Sequence, residues 1–270
     1  MYNKYLILTL SFFSLIIILP FIGIFSKLNF DFYSLLVFIN NTYILKIIYF
    51  TFYQAFFSAV LSCLIAIPFA LALNRHKNLK IIRYLVSICG FSFVIPSILI
   101  VYAVIKLFGI NGFYNNYFNF YELFGINSIY GLKAILISHI LLNAPFATRL
   151  FFQNLDNIPN KYYEISSSLN LTFFGNIIKL EIPIIKQNLF SVFSIIFSLC
   201  FLSFAIVMVL GGSPLNSTIE VAIYQFALFE LNFNKAIFLS FIQIFICLIF
   251  IFIGFNKMKG SKYFEINNNI

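Results

Sequence analysis

Few side chains in this sequence could do chemistry, and fewer still stand close together. His139 and Asn143 lie one turn apart in an otherwise apolar run, so a helix there would carry both on one face. Polar groups in such runs turn towards neighbouring helices, where they bond across to another helix or meet a solute passing between helices. Glu220 follows the turn Gly211-Gly212-Ser213-Pro214 and could attract a cation; a solvated loop carboxylate is the other reading. Cys63, Cys89, Cys200 and Cys247 have neither paired nor metal-ligand spacing and read as small apolar packing residues. No Gly-x-x-x-x-Gly-Lys-Ser/Thr phosphate cradle occurs. Apart from His139, the interiors of the apolar runs hold none of the acids and bases that a proton relay or a membrane-embedded enzyme requires. The chemistry predicted is therefore binding and hydrogen bonding, with no catalytic residue, cofactor or metal.

The elements that must position these groups are membrane-spanning helices. The chain is 62% hydrophobic and 9% charged, far outside the range of a soluble domain. Its apolar residues come in runs long enough to cross a bilayer, at about 5–25, 44–73, 84–107, 131–152, 189–210 and 236–255. The expected fold is all-α and integral to the membrane, one domain of six spans over 1–270. The first run is long for a signal peptide, holds Pro20 and lacks a small-residue cleavage site, so it reads as a retained helix. Pro68 is expected to kink the second span, and the third runs through Pro96. A polar connection at Lys27–Tyr43, a loop at Phe108–Tyr130 and a segment running to Asn234 fall on the outer side.

Basic residues test that arrangement. Arg75, Lys77, Lys80 and Arg83 cluster in one short connection, and twelve of the seventeen Lys and Arg fall on the side that also holds both termini. The positive-inside rule makes that side cytoplasmic and accounts for the cluster without a nucleic-acid partner. The same count places the loop 153–187 in the cytoplasm.

Within that loop, Pro159 to Pro183 reads as a helical elbow. Pro159 suits a first turn. Tyr162, Ile165, Leu169 and Phe173 then recur at helical spacing beside a polar face of Glu164, Ser167 and Asn170. Asn170 suits a left-handed helix stop, Thr172 suits the cap of a second short helix, and Pro183 is expected to end it.

The elbow resembles the Glu-Ala-Ala loop of permeases from bacterial binding-protein-dependent, type I ABC importers: Glu-Ala-Ala, three residues, Gly, nine residues, Ile-x-Leu-Pro. The matching residues are Glu164-Ile165-Ser166, Asn170 in place of the glycine, and Leu180-Glu181-Ile182-Pro183. Further stretches are similar to the first half of the thiamine importer permeases: Tyr130-Gly131-Leu132, Asn143 to Leu150, Ser203-Phe204-Ala205, Leu210 to Pro214 and Thr218 to Gln225. Ser213 stands where that family has glycine, and the family fuses two such halves where this chain resembles one.

The resemblance implies a type I importer permease fold in a bacterial inner membrane. It implies cytoplasmic ATP-binding subunits, a periplasmic solute-binding protein, and a second permease half or a second copy as partners. Glu164, Ile165, Ser166, Leu169, Asn170 and Pro183 would form the ATPase coupling surface, and His139, Asn143 and Glu220 are candidates for the substrate pathway, with contact to the binding protein the other reading of Glu220. Thiamine or its phosphates is the implied substrate; ferric iron is the alternative within the same machine, and a secondary transporter is the alternative outside it.

Overall fold

The computed structural model describes residues 2–26, 37–119, 121–122, 129–212 and 216–258, and every regular element among them is helical. In chain order these are α1 (Tyr2–Ser26), α2 (Thr42–Arg75), α3 (Lys80–Phe91), α4 (Ser97–Phe108), α5 (Phe113–Phe118), α6 (Leu132–Asp156), α7 (Asn160–Ser168), α8 (Phe173–Asn176), α9 (Ile182–Phe201), α10 (Ala205–Leu210), α11 (Ile219–Tyr224) and α12 (Phe233–Met258). Wide π turns at Ile177–Glu181 and Gln225–Phe229 extend α8 and α11. Five segments are long and apolar enough to cross a membrane: Thr42–Arg75, Ser97–Phe118, Leu132–Asp156, Phe173–Phe201 and Phe233–Phe255. The 25-residue α1 is helical across the first expected span, and all its described side chains are exposed. The chain is thus a multi-pass membrane protein.

Lipid is as apolar as leucine, so helices associate by close packing rather than by burial from water. α2 supplies the seam. Thr51, Ala55, Ser58, Ala59, Ser62, Cys63, Ala66 and Ala70 recur at helical spacing, all buried, and let α2 lie close along α6. α9 packs against α2, α6 and α12. Phe52, Phe193, Phe197, Phe201 and Phe250 form an aromatic cluster there, with Phe197 stacked 4.1 Å from Phe250. A second apolar core joins α4, α6, α10 and α11 through Val101, Ile135, Leu210 and Val221.

The second, fourth and sixth expected spans are α2, α6 and α12 with slightly longer ends. Two other expectations are corrected. The third span is not one helix about Pro96 but α3 and α4, twelve residues each, with a turn before Pro96 at the cap of α4. Proline removes a backbone donor and disfavours helical geometry in the residue before it, so the chain reorients at Ile95. α3 alone is about 18 Å long, shorter than a bilayer core of about 30 Å, whereas α4 continues with α5 into the longer segment Ser97–Phe118. The fifth span ends at Phe201, and Leu202–Phe204 separate it from α10. The carbonyl of Cys200, which would accept from residue 204 in a continued helix, accepts from the Gln54 side chain at 3.0 Å and from the Ser203 backbone at 3.4 Å.

The segment expected on the outer side as far as Asn234 carries a helix of its own. Ile219–Phe229 is helical, packs on α12, and buries Val221 in the second core and Ile219, Ala222 and Phe226 in the first. Thr51 Oγ1 accepts from the Ile219 backbone at 2.9 Å and so binds the start of α11 to α2. The expected connection at Lys27–Tyr43 and the turn at Ser213-Pro214 lie mostly or wholly outside the described residues.

The elbow forms as α7 and the start of a second, longer helix, joined by a turn over Leu169–Thr172. Asn170 takes φ 54°, the left-handed stop expected of it, and Thr172 Oγ1 accepts from the Gly175 backbone at 3.2 Å. Asn170→Val should destabilise the elbow by about 1–2 kcal/mol, since β-branched residues pay most for positive φ, while Asn170→Gly should be neutral or better. Trypsin cleavage rates at Lys161 and Lys179 of the solubilised protein would report the difference. Pro183 does not end the second helix. It is the second residue of α9, and helix continues from Phe173 to Phe201. The π turn immediately before it, where the Ile182 backbone donates to Ile177, widens the helix and accommodates a residue that cannot donate.

Candidate functional site

Two polar constellations stand out of the apolar body. One lies inside the bundle, where α2, α6 and α9 meet. On α2, Thr51, Gln54, Ser58 and Ser62 follow one another at turns of three to four residues on the buried seam, so the packing that holds the bundle also carries polar groups into it. His139 and Asn143, one turn apart on α6, meet them as the spacing predicts. His139 Nδ1 lies 2.9 Å from Ser58 Oγ, and Asn143 Nδ2 donates to Cys200 Sγ at 3.2 Å. His139 is 1% exposed, and its Nε2 has no partner among the described residues.

Beside this cluster is a cavity of about 420 Å³. Its polar lining includes His139, Asn143, Ser97 and Ser203, and its apolar lining includes Phe146 and Phe204. The breaks that the sequence did not predict form its wall: the α3–α4 turn supplies Ser92, Phe93 and Ile95, and the α9–α10 break supplies Leu202 to Phe204. Non-helical backbone at membrane depth is tolerated where it lines a cavity or is buried in protein. Among the described residues no charged side chain lines it. The chamber can offer hydrogen bonds and aromatic faces to a small polar solute.

Glu220 does not join this site. In the first turn of α11 its carboxylate accepts from Gln243 Nε2 of α12, and it is half-buried rather than a free loop charge. Among the described residues no cluster of His, Cys, Asp and Glu is arranged to hold a metal.

The second constellation is the elbow and the helix end it rests on. Glu181, wholly buried at the end of the π turn, pairs with Arg75 at the last turn of α2, Nη2 to Oε2 3.0 Å. Tyr163 of α7 donates to Glu181 Oε1 at 3.4 Å and accepts from Asn74 Nδ2 at 3.1 Å. Burial pushes the Tyr163 phenol above its ordinary value, so it stays protonated and able to donate. The Arg75 guanidinium also lies over the Phe173 ring at 4.1 Å. Around these groups is a cleft of about 490 Å³ whose outer wall carries Glu164 and Ser167.

The sequence-selected elbow residues divide by face. Ile165 and Leu169 are 53% and 68% exposed, and Glu164, Asn170 and Pro183 are also exposed. Ser166 is turned inward, 2% exposed, and donates to the Tyr163 carbonyl. The apolar stripe divides: Tyr162 packs half-buried on the core, while Ile165, Leu169, Phe173 and Phe174 are exposed on the elbow near Glu164. An apolar patch with a polar rim is the anatomy of a docking surface.

Sequence reading missed Gln54, Ser58, Tyr163, Arg75 and Glu181 as site residues. The polar spacing along 51, 54, 58 and 62 could have exposed the first two. Arg75 had been read as topology alone, and Glu181 falls at the unassigned position of the Ile-x-Leu-Pro pattern.

Comparison with known proteins places these features. No family profile matches the chain. The thiamine transport system permease protein ThiP of Haemophilus influenzae is 35% identical over 210 residues, 78% of this chain and 39% of that protein. Its counterpart from Escherichia coli is 33% identical over 212 residues, again 39% of its length. The chain thus spans about two fifths of these relatives. Among solved structures, a bacterial ABC transporter importing the acidic polysaccharide alginate matches with a TM-score of 0.75 at 15% identity, over 96% of both chains. The chain has the fold of ABC importer permeases and is similar in sequence to part of the thiamine permeases.

Proposed function

We propose that the chain is the membrane-spanning permease subunit of an ATP-driven ABC importer that moves thiamine or its phosphates from periplasm to cytoplasm. The observation that carries this reading is the 35% identity to a thiamine permease over 78% of the chain. The exposed Ile165–Leu169 patch of the elbow supports it, because a permease of this kind needs a surface that an ATPase can grip. Cytoplasmic ATP-binding subunits, a periplasmic solute-binding protein and a second permease unit complete the machine. The protein sits in the bacterial inner membrane with both termini and the elbow cytoplasmic.

In this reading the chain does no bond chemistry. ATP binding draws the ATPases together, the docked elbows move with them, and the bundles rock between inward- and outward-facing states, the ligand and the nucleotide each biasing one equilibrium. The chamber beside His139 and Asn143 offers the solute hydrogen bonds in place of water while the pathway is closed at both ends. Glu164, Ile165, Leu169 and Asn170 carry the docking face, with Pro183 at its edge. Ser166 is buried on the inner side of α7.

The test is purification of the solubilised chain from its native host, mass spectrometry for a co-purified ATPase, and uptake of labelled thiamine by proteoliposomes holding the recovered complex. ATP-dependent uptake that unlabelled thiamine competes away is expected. An ATPase recovered without thiamine uptake would overturn the substrate and keep the machine; no ATPase would overturn both.

A further inference from the structure

Glu181 lies outside the residues that mark the coupling loop, yet it is the most deeply buried acid among the described residues and the hub of the elbow's polar contacts. We propose that the Arg75–Glu181 pair gears the elbow to α2, so that motion of a docked ATPase reaches the membrane cavity through α2 as well as through α9. The inference rests on the permease reading above; Arg75 and Glu181 act in it as positioning residues that touch neither nucleotide nor solute.

The geometry supplies two routes from one elbow. Helix runs unbroken from Phe173 into α9, so α8 drives α9 directly. α2 has no covalent link to the elbow. Its end at Arg75 is held there by the ion pair at 3.0 Å and by the guanidinium stacked on Phe173, and Asn74 adds a bond to Tyr163 of α7. Both elbow helices are thus tied to one turn of α2. Farther along the same helix, Ser58 meets His139 at the cavity, and Gln54 holds the Cys200 carbonyl at the break that forms the cavity wall. α2 stays helical through Pro68 from Arg75 to both residues, so displacing it at Arg75 moves both contacts.

The π turn makes the pairing. One extra residue per turn at Ile177–Glu181 advances the helical phase, so Glu181 faces inward while Ile178 and Lys179 stay exposed. Burial makes the pair exacting. With Glu181 at 0% and Arg75 at 21% side-chain exposure, removing one partner strands a charge away from water, whereas removing both leaves hydrogen-bonding amides. The exposed Lys77–Asp156 bridge near the same end, 3.1 Å, is a surface pair that water weakens, so it cannot replace the buried one.

The experiment compares Arg75→Gln, Glu181→Gln and the double variant in the full complex, reading co-purified ATPase, ATP hydrolysis and solute uptake per ATP. Arg75→Gln should keep its ATPase and hydrolyse ATP within about twofold of the native rate, yet lose at least about tenfold in uptake per ATP. The double variant should regain at least half of that loss, the non-additivity of a coupled pair. Tyr163→Phe, which removes one oxygen and leaves the fold intact, should cost about threefold in the same ratio. Native uptake per ATP in Arg75→Gln, or loss of the ATPase from it, would overturn the gearing: the first makes the pair idle, the second makes it a structural prop. If Arg75→Gln fails to fold, Tyr163→Phe decides by the same ratio. If the native chain binds no ATPase, the permease reading fails on its own, and the pair is scored on the isolated chain. There trypsin should cut at Lys161 and Lys179 at least about tenfold faster in Arg75→Gln than in the native protein, and equal rates would dismiss the attachment of the elbow to α2.

Discussion

Glu164→Lys should strip the ATPase from the purified protein while leaving the permease intact. Glu164 is exposed, lines the open cleft of the elbow, and enters no ion pair among the described residues, so the folded chain loses nothing that holds it together. Its surroundings are what an interface core requires: Ile165 and Leu169 more than half exposed, with Phe173 and Phe174 continuing the apolar surface. A carboxylate closed against a partner surface is matched there by donors or a cation, and a lysine in its place sets like against like. Juxtaposed like charges cost several kcal/mol, so the association should weaken by at least about 30-fold. Gel filtration and the thermal midpoint of the solubilised chain should match the native protein. Full retention of the ATPase would place the docking surface elsewhere.

Phe197→Ala should do the opposite and unfold the bundle without touching the elbow. Phe197 is 1% exposed and packs against Phe52, Phe193, Phe201 and Phe250 at the junction of α2, α9 and α12. In a bilayer the transfer part of such a truncation is small, because an unpacked ring still meets hydrocarbon. The cavity part remains: about 100 Å³ lost at roughly 24 cal/mol per Å³ gives about 2.4 kcal/mol, and broken ring contacts add to it. Unfolding by a denaturing detergent should reveal the loss, with Phe252→Ala as the control. Phe252 is 68% exposed and its truncation should change stability by less than about 0.5 kcal/mol. Equal effects of the two would show that α9 is not held by this cluster.

The elbow and the membrane cluster were legible to different degrees, for physical reasons. Asn170 and Thr172 declare themselves locally, because a left-handed stop and a helix cap are decided by a residue and its near neighbours in sequence. His139 and Asn143 were legible as a pair, since helical spacing puts them on one face. Their partners were not: Ser58 lies 81 positions from His139, and only the packing of α2 on α6 brings them together. The partner of Glu220 was hidden for the same reason, since Gln243, which donates to its carboxylate, lies 23 positions away.

By itself the sequence determined that the chain lives in a membrane, where its long helices fall and where the elbow turns. Those follow from runs of apolar residues, from helical periodicity and from local backbone preferences, each readable within a window of about twenty residues. Tertiary structure alone decided where the helices break and which polar groups face inward. α9 breaks with neither proline nor glycine at Leu202–Phe204, where Gln54, 146 positions from Cys200, donates to its carbonyl, and the π turn swings Glu181 onto Arg75, 106 positions away. Backbone and side-chain polar groups in a low-dielectric interior must find partners wherever the packing offers them, and that choice is made between helices, not along one.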